Sequence, residues 1–419
     1  MQLIRTTWTM SLVLSAGLVT SSGCDSGPDA VDPEHEAACE TASAGAGLHD
    51  GFAIPGVAGA PRWGMPVTPP VARRVRRSWS SLTNPEKQRV VDAFITLKNT
   101  TVTSGSPGSP RAAYTSFCDT LGLGGYALNL YDYYVESHMN AFISMMTAEQ
   151  PHNRMPHKGP QFLPWHRYLL LRIETDMGEA IGDPTFALPY WDWTDCYADG
   201  DPTICEPMFE RDYLGTAGSC DMTRASVEGY MVDQGFLTNI FTNDQSAFDP
   251  ASVVCGRRPV VRQVGCVMQA PPDDAQIGAM FDRPAYDDAP HDSCYTEEDV
   301  SFRQYLEGFD NNSTELLCVA AGCTMHGRGH LYVGGDMFRS SANPNDPIFF
   351  LNHTNVDRMW AAWQEANLAS GNPARQIDSG TPGYPASGRG SLFNWPAVQA
   401  AELFDYKALG YEYDAMPRR

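Results

Sequence analysis

The amino-acid sequence predicts a mainly α-helical domain with long, disulfide-held loops, and three observations carry that prediction. Five segments combine helix start signals with apolar residues at helical spacing. The stretch from about Asp195 to Asp299 is instead crowded with Gly, Pro, Asp and Cys. The histidines, ten in all, gather mostly in two clusters on or beside the helical segments. With 419 residues, 42% of them hydrophobic, the chain can bury a sizeable core, and Gly 37 with Pro 31 agrees with extensive loops.

Residues 1–24, "MQLIRTTWTMSLVLSAGLVTSSGC", have the layout of a secretory signal. Arg5 precedes an apolar run from about Trp8 to Val19, too short to span a bilayer, and small residues follow. The ending resembles a lipoprotein cleavage site at which Cys24 would become a lipid anchor. Ser21 departs from the usual Leu or Val there, so cleavage with release is the alternative. Either route exports the protein, as a periplasmic, outer-membrane lipoprotein or secreted form of bacterial type. No later stretch reads as a transmembrane helix. Residues 25–70 are Gly, Ala, Pro and acid without periodicity and read as a flexible linker, leaving residues 71–419 as the folded domain. At its edge "RRVRR", Arg73 to Arg77, reads as a solvated segment, the alternative being an interaction patch.

The first helix is predicted after Thr83 or Asn84, with Pro85 in its first turn and a stripe of Val90, Val91, Phe94 and Leu97. The second runs from about Leu130 through Met146, with Tyr134, His138, Phe142 and Met145 on one face. The third begins just after Pro164, because Pro160 and Pro164 should keep "MPHKGPQFLPWH" from being helical. A short fourth covers about His326 to Val333. The fifth has Asp346 as its cap and Pro347 in its first turn, ahead of "IFFLNHTNVDRMWAAWQEANL". Apart from Cys24, ten cysteines remain, an even set that should mostly pair in an oxidising compartment, with no zinc-type spacing. The formal net charge of -21 argues against nucleic acid or anionic lipid as a partner.

Seven histidines form the two clusters: His138, His152, His157 and His166, then His326, His330 and His353. Histidine without thiolate or carboxylate partners suits a nitrogen-ligated metal such as copper, zinc, iron or nickel. "HGRGH" stacks His326 and His330 on one helical face, and the turn "NPND" lets the next helix return His353 to them. The zinc-protease pattern is excluded, because Gly327 stands where its glutamate would be. Phe349 and Asp357 lie four residues before and after His353. Phe349 is expected to pack on the imidazole, and Asp357 to brace ring N–H groups. His138 on a helix, His157 in a loop and His166 at a helix start form a second trio able to enclose one metal.

Taken together, "PHKGPQFLPWHRYLLLRIE", "LPYWDW", "FRQYLEG", "HGRGHLYVGG" and "NPNDPIFFLNHTNVDRMWAAWQ" resemble the type 3 copper proteins, specifically the tyrosinases and catechol oxidases. The resemblance spans roughly Val71 to Leu368. It implies a four-helix bundle around two copper ions, His138, His157 and His166 binding the first and His326, His330 and His353 the second. His152 matches no family ligand. The implied activity is oxidation of small phenolic substrates with O2 as co-substrate: catechols to ortho-quinones, and in tyrosinases ortho-hydroxylation of monophenols beforehand. Glu307 sits where tyrosinases carry a glutamate that orders a water to accept the phenol's proton; its alternative is a surface glutamate.

Departures from the family refine these expectations. Many tyrosinases have Asn after the first ligand of the second copper, where this chain has Gly327, which favours catechol over monophenol oxidation. Replacing Gly327 by Asn should therefore raise activity on monophenols relative to catechols. Met155 stands where fungal, plant and molluscan members carry a thioether-forming Cys. About ten extra residues, with Cys318 and Cys323, separate Glu307 from His326. Asn352-His353-Thr354 fits a glycosylation acceptor formally, but its place in the site makes that a false positive. After Leu368 the tail "FNWPAVQ…YEYD" can pack as a few elements but is too short for a separate domain. Competing readings are an ortho-aminophenol oxidase, a haemocyanin-like oxygen carrier without turnover and a catalytically silent lipoprotein. The sequence does not say whether a helper protein loads the copper.

Overall fold

Capping chemistry sets the first helix of the computed structural model. That model describes residues 73–102, 116, 118, 122, 128–146, 156–198, 200, 205, 207–242, 253–287, 301–308, 324–339, 341–369, 390–393 and 395–417. All fall within one unit, Ala53–Arg419. The leader, the linker, His35, His49, His152, Met155, His291, Cys39, Cys294, Cys318 and Cys323 lie outside the described residues.

Helix α1, Asn84–Asn99, opens where Glu86 accepts hydrogen bonds from the Thr83 backbone N–H (2.7 Å) and hydroxyl (2.8 Å). Its stripe of Val90, Val91, Phe94 and Leu97 is buried. Helices α2, Leu130–Met146, α3, Phe162–Ala180, and α8, Ile348–Ala369, are buried around almost their whole circumference wherever their side chains are described, through residue 142 in α2 and residue 367 in α8, as the central helices of a large core must be. Asp346 caps α8 by accepting from Ile348 N–H at 3.0 Å.

Helix α3 begins two residues before Pro164, not after it. A proline is tolerated in a first turn, where N–H groups lack intrahelical partners. The carbonyl that Pro164 cannot serve, that of Pro160, instead accepts the Tyr286 hydroxyl at 2.8 Å.

Between α3 and α8 the described chain forms short elements. These are α4 (Tyr230–Asp233), a hairpin of β2 (Thr238–Thr242) and β3 (Val253–Arg258), α5 (Asp274–Met280), α6 (Phe302–Glu307) and α7 (Met325–Val333). Disulfides Cys118–Cys255, Cys196–Cys205 and Cys220–Cys266 fasten this region, giving pairings the sequence left open. Helices α2, α3, α7 and α8 form the bundle around the histidines. β4 (Ser391–Leu392) and β5 (Trp395–Gln399) pair antiparallel.

The arginine run is a solvated edge only in part: Arg73 is exposed and Arg77 partly so, while Arg74 and Arg76 are buried. Arg74–Arg76 is strand β1, parallel to β6 (Tyr411–Tyr413), and its alternation turns Arg74 and Arg76 inward and Val75 outward. Arg76 grips Glu174 with two N–H groups (3.0 and 3.1 Å) and Asp357 with a third (3.0 Å), and lies 3.8 Å over the Tyr411 ring. Buried carboxylates supply the charge that makes inward arginines favourable. The tail thus closes the sheet edge beside α3 and α8.

Candidate metal centre

Helix α2 presents His138 and α3 presents His166 one turn after its start, with His157 in the segment just before α3. On the other side α7 stacks His326 and His330 one turn apart, and α8 delivers His353. Within each trio the potential ligand atoms lie within 4.8 Å of one another, and all six residues are buried. The trios touch: the His166 and His353 rings stack at 4.2 Å with an 11° angle. Phe162 lies against His166 and His326 (4.9 and 5.0 Å), and Phe349 against His353 and His138 (4.2 and 5.1 Å).

Backbone carbonyls aim the rings. Nδ1 of His138 meets Ser341 O (3.2 Å), His166 meets Phe162 O (2.8 Å), His326 meets Glu307 O (2.9 Å) and His330 meets Met337 O (2.9 Å). Donation from Nδ1 places the lone pair on Nε2. The Nε2 atoms of His138 and His166 are buried without a partner. Those of His326 and His330 converge on His353 Nε2 at 3.1 and 3.3 Å, where a single ring proton cannot serve both. Orphaned lone pairs facing one another are satisfied by a cation, and a donor set of imidazoles alone fits copper. Among the described residues no other His, Cys, Asp or Glu group is arranged to hold a metal.

Burial pushes all six imidazole pKa values down, that of His138 to about 3 and that of His330 to about 4. For His157, His166, His326 and His353 neighbouring imidazoles add to the desolvation. The rings are therefore neutral and ready to ligate at ordinary pH.

Two sequence expectations change here. Asp357 braces no imidazole: its oxygens accept from Arg167, Arg76, Tyr411 and Tyr413. The bracing falls to main-chain carbonyls, which carry no side-chain signal in the sequence. Glu307 is buried at the end of α6, accepting from Arg303 Nη1 (2.7 Å) and Lys158 N–H (2.5 Å), so the surface reading is overturned. Burial raises its pKa, against the opposing pull of Arg303. Asn352 is buried, its oxygen accepting the Trp193 indole N–H at 2.9 Å, and is out of reach of glycosylation.

Gly327 is packed against the end of α6. A Cβ there would lie 2.8 Å from Gly308 O and 3.5 Å from Glu307 O. Gly308 itself, at φ +78°, leaves no room for a Cβ beside Thr324 O. This close approach is what sets Glu307 O against His326.

The common central domain of tyrosinase matches residues 128–366, more than half of the chain. The tyrosinase of Streptomyces glaucescens is 31% identical over 342 residues, 81% of this chain and 98% of the relative. Grixazone synthase of Streptomyces griseus is 31% identical over 241 residues, 56% of this chain and 75% of the relative. A polyphenol oxidase variant from Thermothelomyces thermophila shares the fold at TM-score 0.56 and 20% identity, covering 82% of this chain and 89% of that one. The likeness is one of fold, and the paired histidine trios are this chain's own. The cofactor is a dinuclear type 3 copper centre, with O2 as co-substrate. The chain is a copper oxidoreductase belonging to the tyrosinase family.

Proposed function

We propose that this protein oxidises catechols to ortho-quinones. His138, His157 and His166 would hold one copper, and His326, His330 and His353 the other. The contact between the two trios supports this reading most directly, because two ions so held would face one space. When bound, the copper pair supplies oxygen activation and electron transfer. Two catechols and one O2 then give two quinones and two waters.

The chain's own residues supply position and shelter. Phe162 and Phe349 pack between the trios and keep bulk water from the ring nitrogens. Glu307, beside His326, orders a water that accepts the phenol's proton; each carboxylate oxygen keeps a further lone pair beyond its bond to Arg303 or Lys158. Three disulfides among the described residues suit an oxidising compartment and support export behind the 1–24 leader. Among the described residues no helix is long and apolar enough to cross a membrane.

Metal analysis followed by oxygen uptake on a monophenol, its catechol and an ortho-aminophenol tests the proposal. Two coppers per chain and fastest uptake on the catechol are expected. A single copper, or oxygen binding without uptake, would overturn it.

The crowding at Gly327 changes what its replacement reports. Gly327→Ala and Gly327→Asn are both expected to lower the thermal midpoint, at a cost of roughly 1–3 kcal/mol for forcing a Cβ onto Gly308 O. Only the Asn variant should also raise the ratio of monophenol to catechol turnover. If both variants change that ratio alike, backbone displacement at Glu307 is the cause and the amide has no role.

A further inference from the structure

His157 is the one histidine of the six with neither a helix nor a ring-nitrogen bond to fix it. His138, His166, His326 and His330 are tied through Nδ1 to carbonyls. His353 also has an unpartnered Nδ1, but it rides on α8 with its ring 4.2 Å from both Phe349 and His166. His157 precedes α3, its Nδ1 is buried without a partner, and its ring is held by packing alone, on His138, His166 and Phe142 at 4.7, 5.0 and 5.1 Å and on Phe162 and Trp165 at 6.4 Å. The next residue, Lys158, holds a left-handed backbone (φ +55°), which costs energy in any residue with a Cβ. Its N–H donates to the Glu307 carboxylate. A charge-assisted bond of this kind is among the stronger ones available to hold such a turn.

Glu307 is itself anchored, its other oxygen taking Arg303, which also binds Asp287 at 2.9 Å. Its main-chain carbonyl meanwhile orients His326 at 2.9 Å. One residue therefore contacts His326 of the second trio directly and, in the first, the backbone of the residue next to His157. We infer that Glu307 is a positioning residue coupling the two half-sites, its carboxylate setting His157 through the Lys158 amide while its carbonyl sets His326. This rests on the copper assignment proposed above. Substituting the side chain leaves the carbonyl in place, so the defect falls on the first copper alone. A role confined to holding water would leave both coppers bound.

The test compares wild type, Glu307→Ala, Glu307→Gln and the double variant Glu307→Ala with Lys158→Gly. Copper per chain is measured after dialysis against a weak chelator, and hydrogen exchange of the residue 158 amide in metal-free protein. Wild type is expected to keep two coppers and Glu307→Ala one, with the amide exchanging roughly tenfold faster or more. Glu307→Gln retains an acceptor oxygen and should keep the amide protected and most of the copper. Glycine adopts φ +55° freely, so the double variant should regain copper over Glu307→Ala. Two coppers and unchanged exchange in Glu307→Ala would overturn the inference. Should Glu307→Ala not fold, equal exchange in Glu307→Gln and wild type supports the tether, and Glu307→Gln losing the second copper first overturns it. Fewer than two coppers in wild type would sink the copper assignment, while the metal-free exchange comparison still decides the Glu307 tether.

Discussion

Replacing His353 with alanine is expected to abolish catechol-dependent oxygen uptake while one copper per chain and the fold persist. Its Nε2 is the point on which His326 and His330 converge, at 3.1 and 3.3 Å, and no other described side chain is arranged to take its place. Removing a proposed ligand outright should exceed the roughly 10–100-fold loss typical when only a partner behind a ligand is changed. The fold should survive because α8 does not depend on this residue. Asp346 caps the helix, and Phe349, Phe350, Met359, Trp360 and Trp363 bury it. The first trio is anchored independently through Ser341 and Phe162 carbonyls and should keep its ion. Metal analysis, circular dichroism and an oxygen electrode read the three parts. Near-normal uptake, or retention of both coppers, would remove His353 from the site.

Much of this centre was legible in the sequence, for reasons that particular residues make clear. Helices α1 and α8 announce themselves because Thr83 with Glu86 and Asp346 with Pro347 act within a few residues, where sequence distance equals spatial distance. The histidines stand out because imidazole is scarce and chemically distinct. Interactions between distant segments were not legible. Arg76 meets Glu174 and Asp357 across 98 and 281 residues, and nothing local in "RRVRR" reveals buried carboxylates opposite. The same blindness sent Asp357 to the imidazoles when its partners come from both ends of the chain. The carbonyls of Ser341 and Met337, which aim two rings, leave no trace because every residue has one. Pro164 misled in a different way: proline forbids a helix interior but not a first turn, and the Tyr286 hydroxyl that completes that turn lies over a hundred residues away.

Asp357→Ala should destabilise the copper-free protein by roughly 3–5 kcal/mol, the range for removing one partner of a buried ion pair. One Asp357 oxygen takes Arg167 Nε at 2.5 Å; the other takes Arg76 (3.0 Å), Tyr411 (2.6 Å) and Tyr413 (2.5 Å). Arg167 follows His166, and Asp357 lies one turn beyond His353, so a single carboxylate ties both histidine-bearing helices to strand β6. Without it Arg167 keeps the carbonyls of Leu403 and Phe404 and its place 3.6 Å over Trp360 and 5.8 Å over Tyr406, but no carboxylate. Arg76 keeps Glu174 as its buried counter-charge. Burial alone would raise the Asp357 pKa, but Arg167 and Arg76 hold it below the ordinary value of 3.8. The folded pKa being the lower one, the stabilisation is fully present above 3.8 and is lost as pH falls below it through the folded value. The gap in denaturation midpoint between wild type and variant should therefore be constant near neutrality and narrow only in acid. Arg73→Ala is the control: its pair with Glu412 is exposed on both sides and should be worth no more than about 1 kcal/mol. If both variants melt alike, the inward arginines contribute no more than a surface pair, and the closure of β1 on β6 rests on the tyrosine rings and main-chain bonds.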